Sequence, residues 1–197
     1  MAGPYAIAAI GKAILSMLAA AVPKPEFAGA AFELYQSKNL QSPMEEGIAL
    51  YLHRVTPGSV VRNLPPRVGL DGRRYRPSMP LDLHYLLVAW ARDAFKQQRL
   101  LGWAMRTIED TPLLHASLLN QYGPEPDIFG EGEAIDVLLE NVSIQDMNVI
   151  WDTAKPQMQP CAAYIVRNVS LESQLEMFEY DPVQTRVFDM GKVSVPA

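Results

Sequence analysis

The stretch LDLHYLLVAWA, residues 81–91, is the most apolar long run in the chain. It constrains the fold more than any other segment. It falls short of the roughly 18 apolar residues that a membrane span needs. Through Leu87 it reads as a strand buried on both faces, continuing through Val88–Ala91 toward a helix opened by Asp93. A continuous helix from Leu83 to Asp110 is the alternative. Either way, structure must be layered against it. Asp82 and His84 stand two positions apart near its start, so on a strand both point to one face. A side-chain hydrogen bond between them would orient the imidazole. They read as a structural polar pair at the mouth of a buried strand. The rival is a hydrolase or ligand-binding domain built on Asp82 and His84. It would also need a nucleophile and an oxyanion pocket, and neither is legible.

The flanking segments supply the layers. Ile7, Ile10, Ile14 and Leu18 form one helical stripe, with Lys12 and Ser16 on the far side. Because Lys12 interrupts this segment and no basic residue precedes it, a secretory signal is a poor fit. AFELYQS (31–37) is a short strand candidate, and Ser42 with Glu45 has capping-box spacing for at most one helical turn. GIALYLHRV (47–55) alternates as a clear strand. Residues 93–110 predict a helix on a stripe of Ala94, Leu101, Met105 and Ile108, widened by Leu100 and Ala104. Residues 113–123 have no clean period. EAIDVLLE (133–140) alternates Ile135, Val137 and Leu139. Ser143 caps a helix bearing Ile144, Met147 and Trp151, and CAAYIVRNVSL (161–171) is a further strand. TRVFDMG is a weak edge strand, and a tail from about 190 to 197 is expected to fray. The pattern implies one domain over 1–197, of class α/β (α+β), with a mixed central sheet flanked by helices.

Little in the chain points to chemistry. Cys161 is the sole cysteine, so neither an internal disulfide nor a thiolate zinc cluster can form. His53, His84 and His115 fall on separate elements, and no metal is expected. Phosphate loops, paired dinucleotide glycines and nucleophile elbows are missing, so no cofactor and no enzymatic activity are expected. Residues 1–100 hold 12 Lys and Arg against 7 Asp and Glu, while 101–197 hold 5 against 15. The acidic total argues against a nucleic-acid partner, and the opposed halves suit a subunit that meets copies of itself head to tail. No membrane partner is implied.

Residues 56–80 are the strongest functional candidate. Prolines and glycines exclude regular structure over most of this length, and Arg62, Arg67, Arg73, Arg74 and Arg76 face one acid, Asp71. The segment either folds around LDGRR as a projecting hairpin or orders on a partner. With Tyr75 as its only aromatic, it suits acidic protein surface better than RNA.

Several ordered blocks carry a resemblance: YAIAAIGKAILSML, GIALYLHRV, VVRNLPPR, RPSMPLDLHYLLVAWA, LLGWAMRTIEDTPLL and IWDTAKPQMQPCAAYIVR. Over about residues 5–170 the chain resembles the cap proteins, or tail terminators, of extracellular contractile injection systems. These are phage-tail-like particles such as antifeeding prophages and virulence-cassette particles. Arg62-Asn63 and LDLHYLL followed by LLGWAM are the most telling pieces. The resemblance implies a homohexameric ring at the distal end of inner tube and contractile sheath. Such a ring would stop polymerisation and hold the sheath extended, after assembly in the bacterial cytoplasm. It leaves open the terminator of an ordinary contractile phage tail. It also makes Arg62, Asn63, Arg67, Arg73, Arg74 and Arg76 candidate contacts to sheath, tube or neighbouring subunit.

Overall fold

The computed structural model describes residues 2–58, 64–69, 72–122, 127–154 and 158–177. Its centre is a mixed six-stranded sheet. In spatial order this holds β1 (Ala31–Tyr35), β2 (Gly47–Pro57), β5 (Met79–Trp90), β8 (Cys161–Leu171), β7 (Ala134–Glu140) and β6 (Leu113–His115). β1 and β2 are parallel, and every other neighbouring pair is antiparallel. A separate two-stranded ribbon pairs β3 (Arg67–Val68) with β4 (Arg74–Tyr75). The arginine segment thus pairs with itself as a hairpin, while Leu70 and Asp71 of LDGRR lie outside the described residues.

The apolar run forms the middle of the sheet. Every residue from Leu81 to Trp90 is buried, so the strand reading holds and the continuous helix does not. Leu81, Leu83, Tyr85, Leu87 and Ala89 face α1 (Ala6–Ala21), α3 (Ala94–Glu109) and α4 (Ala116–Tyr122). Leu86, Val88 and Trp90 face the other way, toward α2 (Ser37–Gln41) and α5 (Ile144–Ala154). Two helical layers thus explain the lack of alternation in its sequence. In α1 the stripe of Ile10, Ile14 and Leu18 is buried and Lys12 is exposed, as its period requires. A Cβ on Gly11 would stand 2.8 Å from Leu34 Cδ2, so glycine there lets β1 pack close beneath the helix.

Several expectations shift. The helical turn lies at Ser37–Gln41, not after Ser42, because Gln36 and Asn39 form a reciprocal capping box earlier in the chain. Residues 42–46 are then needed to bring the chain back parallel to β1. In α3, Asp93 accepts a hydrogen bond from the Lys96 amide at 2.9 Å, as a cap should. The buried stripe is Gln97, Leu100, Ala104 and Ile108, while Ala94 is exposed. Gln97 was invisible to an apolar pattern. Its amide is satisfied by Ala89 O at 2.8 Å and Gln159 Oε1 at 3.0 Å. Leu139 and Ile144 are exposed rather than core. Pairing of β6 with β7 stops at Leu113–Asp136, so the end of β7 runs past its cover. The uneven stretch 113–123 divides into β6 and α4, two short elements with different periods. TRVFDMG and the terminal tail lie outside the described residues.

Both neighbours of β5 bulge at the same level. On β2, His53 is extra between the pairs Leu52–Tyr85 and Arg54–His84. On β8, Arg167 and Asn168 together oppose Asp82, and Asn168 takes a left-handed φ of 63°. The sheet is creased along a line through Asp82–His84. Beyond that line its second face is polar and lies outside the apolar cluster under α2 and α5.

Candidate functional site

Two clusters hold the candidate residues, one on the ribbon beyond the crease and one on the crease itself. The first is the arginine ribbon. Arg62 and Asn63 lie outside the described residues. Arg67 places Nε 3.3 Å from Glu172 Oε2 and lays its guanidinium 4.5 Å from the Tyr75 ring centroid. Burial holds Glu172 above the usual carboxylate range, against the pull of Arg67. Arg73 Nη1 lies 3.4 Å from Glu176 Oε2. Backbone bonds from Arg76 N to Leu175 O (3.0 Å) and from Met177 N to Arg74 O (2.7 Å) flank a bridge between Tyr75 and Glu176. The segment after β8 thus lies antiparallel beside β4 through a single bridge and anchors the ribbon. Its two acids neutralise two of the arginines. Neither Glu172 nor Glu176 was singled out from the sequence. Their spacing beyond the last strong strand becomes meaningful only once the ribbon lies beside it.

The six arginine-segment candidates therefore divide. Arg67 is half-buried against Glu172, and Arg73 pairs with Glu176 while staying exposed. Arg74 and Arg76 are exposed on the ribbon.

The second cluster is centred on His84, which is 4% exposed. Asp82 is also buried and lies on the same face. The hydrogen bonds that orient the imidazole come from other strands. Thr56 Oγ1 is 2.9 Å from Nε2, and Glu140 Oε2 is 2.9 Å from Nδ1. Thr56 reaches the ring diagonally from the adjacent β2, and Glu140 reaches it from β7 across the intervening β8. Arg54 Nη2 stands 3.5 Å from His84 Nδ1 and 4.0 Å from Glu140 Oε1. The bulge brings the His53 ring within 6.1 Å of His84 and leaves its buried Nε2 without a hydrogen bond. Burial, then His84 and Arg54, push His53 down to about 4. Thr56, Glu140 and His53 were not singled out from the sequence. Only the register and the bulge assemble them.

Hydroxyl, imidazole and carboxylate in that order is the arrangement of acyl-transfer triads. Here the hydroxyl lies within the paired length of a strand, with Thr56 opposite Asp82. It is not on the sharp strand-to-helix turn that sets a nucleophile beside oxyanion donors. The adjoining pocket, about 360 Å³, is lined by His53, Arg54, Glu140 and the start of α5. The hydroxyl that lines it, on Ser143, is committed to capping: Oγ accepts from Asp146 N at 3.1 Å and donates to Asp146 Oδ2 at 2.8 Å. Cys161 sits against Met147, its thiol pushed up by burial. What the His84 cluster does is stitch β2, β5 and β7 across the crease. Among the described residues no group of His, Cys, Asp and Glu could hold a metal ion, and no helix is long and apolar enough to cross a membrane.

A family profile described as the Pvc16 N-terminal domain matches residues 9–185. The fold is similar to the PVC sheath/tube terminator of an extracellular contractile injection system in its extended state. There the TM-score is 0.60 at 12% identity, covering 97% of this chain and 65% of that one. It is also similar to the anti-feeding prophage cap, a tube-terminating cap, with TM-score 0.56 and 13% identity, covering 90% of this chain and 60% of that one. The chain thus spans less than two thirds of either structure. No curated protein matches it.

Proposed function

Because the chain belongs to the Pvc16 N-terminal domain family, we propose that it caps the end of a contractile injection particle, where tube and sheath stop growing. The observation that carries this reading is the fold shared with two terminators over nearly the whole chain. In this reading the protein assembles in the cytoplasm and works as a homohexameric ring on the last tube and sheath layers, holding the sheath extended. A ring of identical subunits needs a head-to-tail contact that closes, and the opposed charge of the two chain halves suits one. The protein acts by contact rather than catalysis. A structural cap also accounts for the buried wiring of His84, where an enzyme would keep a reactive group open to substrate.

The arginine segment, Arg62 to Arg76, is the surface we assign to contacts with sheath, tube or neighbouring subunit. Deleting the gene should yield particles of uncontrolled length with bare distal ends in electron micrographs. Supplying the wild-type chain should restore both length and cap, and supplying a chain with Arg73, Arg74 and Arg76 all changed to Glu should not. Particles of normal length and full cap occupancy without the chain would refute the reading.

A further inference from the structure

The two sides of the ribbon differ in chemistry, and the difference selects a partner. Residues facing each other across an antiparallel pair share a side, and neighbours along a strand alternate. Arg67, Arg73, Tyr75 and Glu176 therefore share one side, where the charges are paired within the chain. Val68, Arg74, Arg76, Leu175 and Met177 share the other. That side is apolar as well as cationic, with Val68 62%, Leu175 59% and Met177 39% exposed. Exposed apolar residues gathered in one patch mark an interaction surface.

The same chain carries a complement. Beyond the end of β6, a groove of about 580 Å³ is floored by Met105, Leu138, Leu139 and Ile165 and rimmed by Glu109. Leu139 is 54% exposed there. One cation, Arg167, also lines it, and it stands opposite Asp136 in the β7–β8 register. The ribbon is fastened beyond Leu171, where β8 ends. The groove is lined from that strand by Ile165 and Arg167, nearer its middle. One chain's ribbon is thus set apart from its own groove.

We propose that the Val68–Arg76 side of the ribbon docks in the Leu138–Leu139 groove of a second copy, with Arg76 toward Glu109. This names the partner of the arginine surface and rests on reading the chain as a ring-forming cap. Ribbon and groove are different patches, so the contact is heterologous and closes into a ring or runs on.

The test is self-association of the purified chain by sedimentation velocity. Arg76→Glu and Glu109→Arg should each weaken association at least about tenfold, since each sets like charges opposite one another. Combined in one chain, they should recover most of the wild-type association. Both sites are exposed, and circular dichroism with cooperative unfolding verifies that each variant folds. A wild-type chain that stays monomeric overturns the docking. So do single variants that associate as the wild type does, or a combined variant with no recovery. None of these outcomes touches the capping reading. That reading falls instead if the wild-type chain fails to bind particle ends.

Discussion

His53 shows how one inserted residue sets a chemical property. Placed by the β2 bulge against His84 and Arg54, its imidazole is held near 4, below its ordinary 6.5, first by burial and then by those two neighbours. Glu140 pulls the other way and does not win. Between these values the unfolded chain binds a proton that the folded chain refuses. Stability contributed at this site is therefore full above pH 6.5 and is lost as pH falls toward 4. Urea unfolding at pH 7 and pH 4.5 should show the wild type losing more stability than His53→Gln. Equal losses would mean that the His53 ring is not the titrating group. Gly47 is a second residue with a narrow requirement. Its φ is 152°, and a Cβ there would lie 2.1 Å from Ala31 O, so only glycine lets β2 start beside β1.

Strands and helices were legible to different depths. The buried run, the helix of Ile10, Ile14 and Leu18, and the alternation from Ile48 to Leu52 announced their elements because each buries a whole face or stripe. The short pieces did not. α2 depends on a cap made by Gln36 and Asn39, neither a strong signal, and β6 with α4 is too short for any period to emerge. The site was half legible. Clustered arginines pointed to a surface, but only pairing partners show which of them are spent on Glu172 and Glu176. The bulge on β8 gives a prediction at this scale. Asn168 sits at φ 63°, which a β-branched residue resists, so Asn168→Val should cost roughly 1–3 kcal/mol in urea unfolding. Asn168→Gly, which meets no such penalty, should lose much less even though its bond to Asp136 goes. Equal costs for both variants would show that the bend does not depend on the left-handed residue.

Over the whole molecule, the buried core and the ribbon are built from separate parts. The ribbon forms its own sheet, joined to the main body by β2, β5 and the segment after β8. None of β3, β4 or residues 172–177 belongs to the two buried clusters. Replacing residues 66–76 by a short Gly-Ser linker should therefore leave a cooperatively unfolding chain with unchanged far-ultraviolet dichroism. The same variant should fail to cap particles in electron micrographs. Loss of cooperative unfolding would show instead that the ribbon is part of the folding unit.

The paired bulges at His53 and Arg167–Asn168 have a mechanical meaning. They set a fold line across the central sheet: on one side both faces are covered by helices, and beyond it only the face of Leu81 and Val169 belongs to a buried apolar cluster. A pleated sheet is stiff along its strands and yields most readily where its ladder is interrupted. Force applied to the ribbon would pass through that line to reach the half of the sheet covered on both faces. There Thr56, His84 and Glu140 span from β2 to β7 as a cross-tie. His84 would then hold the two plates at a fixed angle under load.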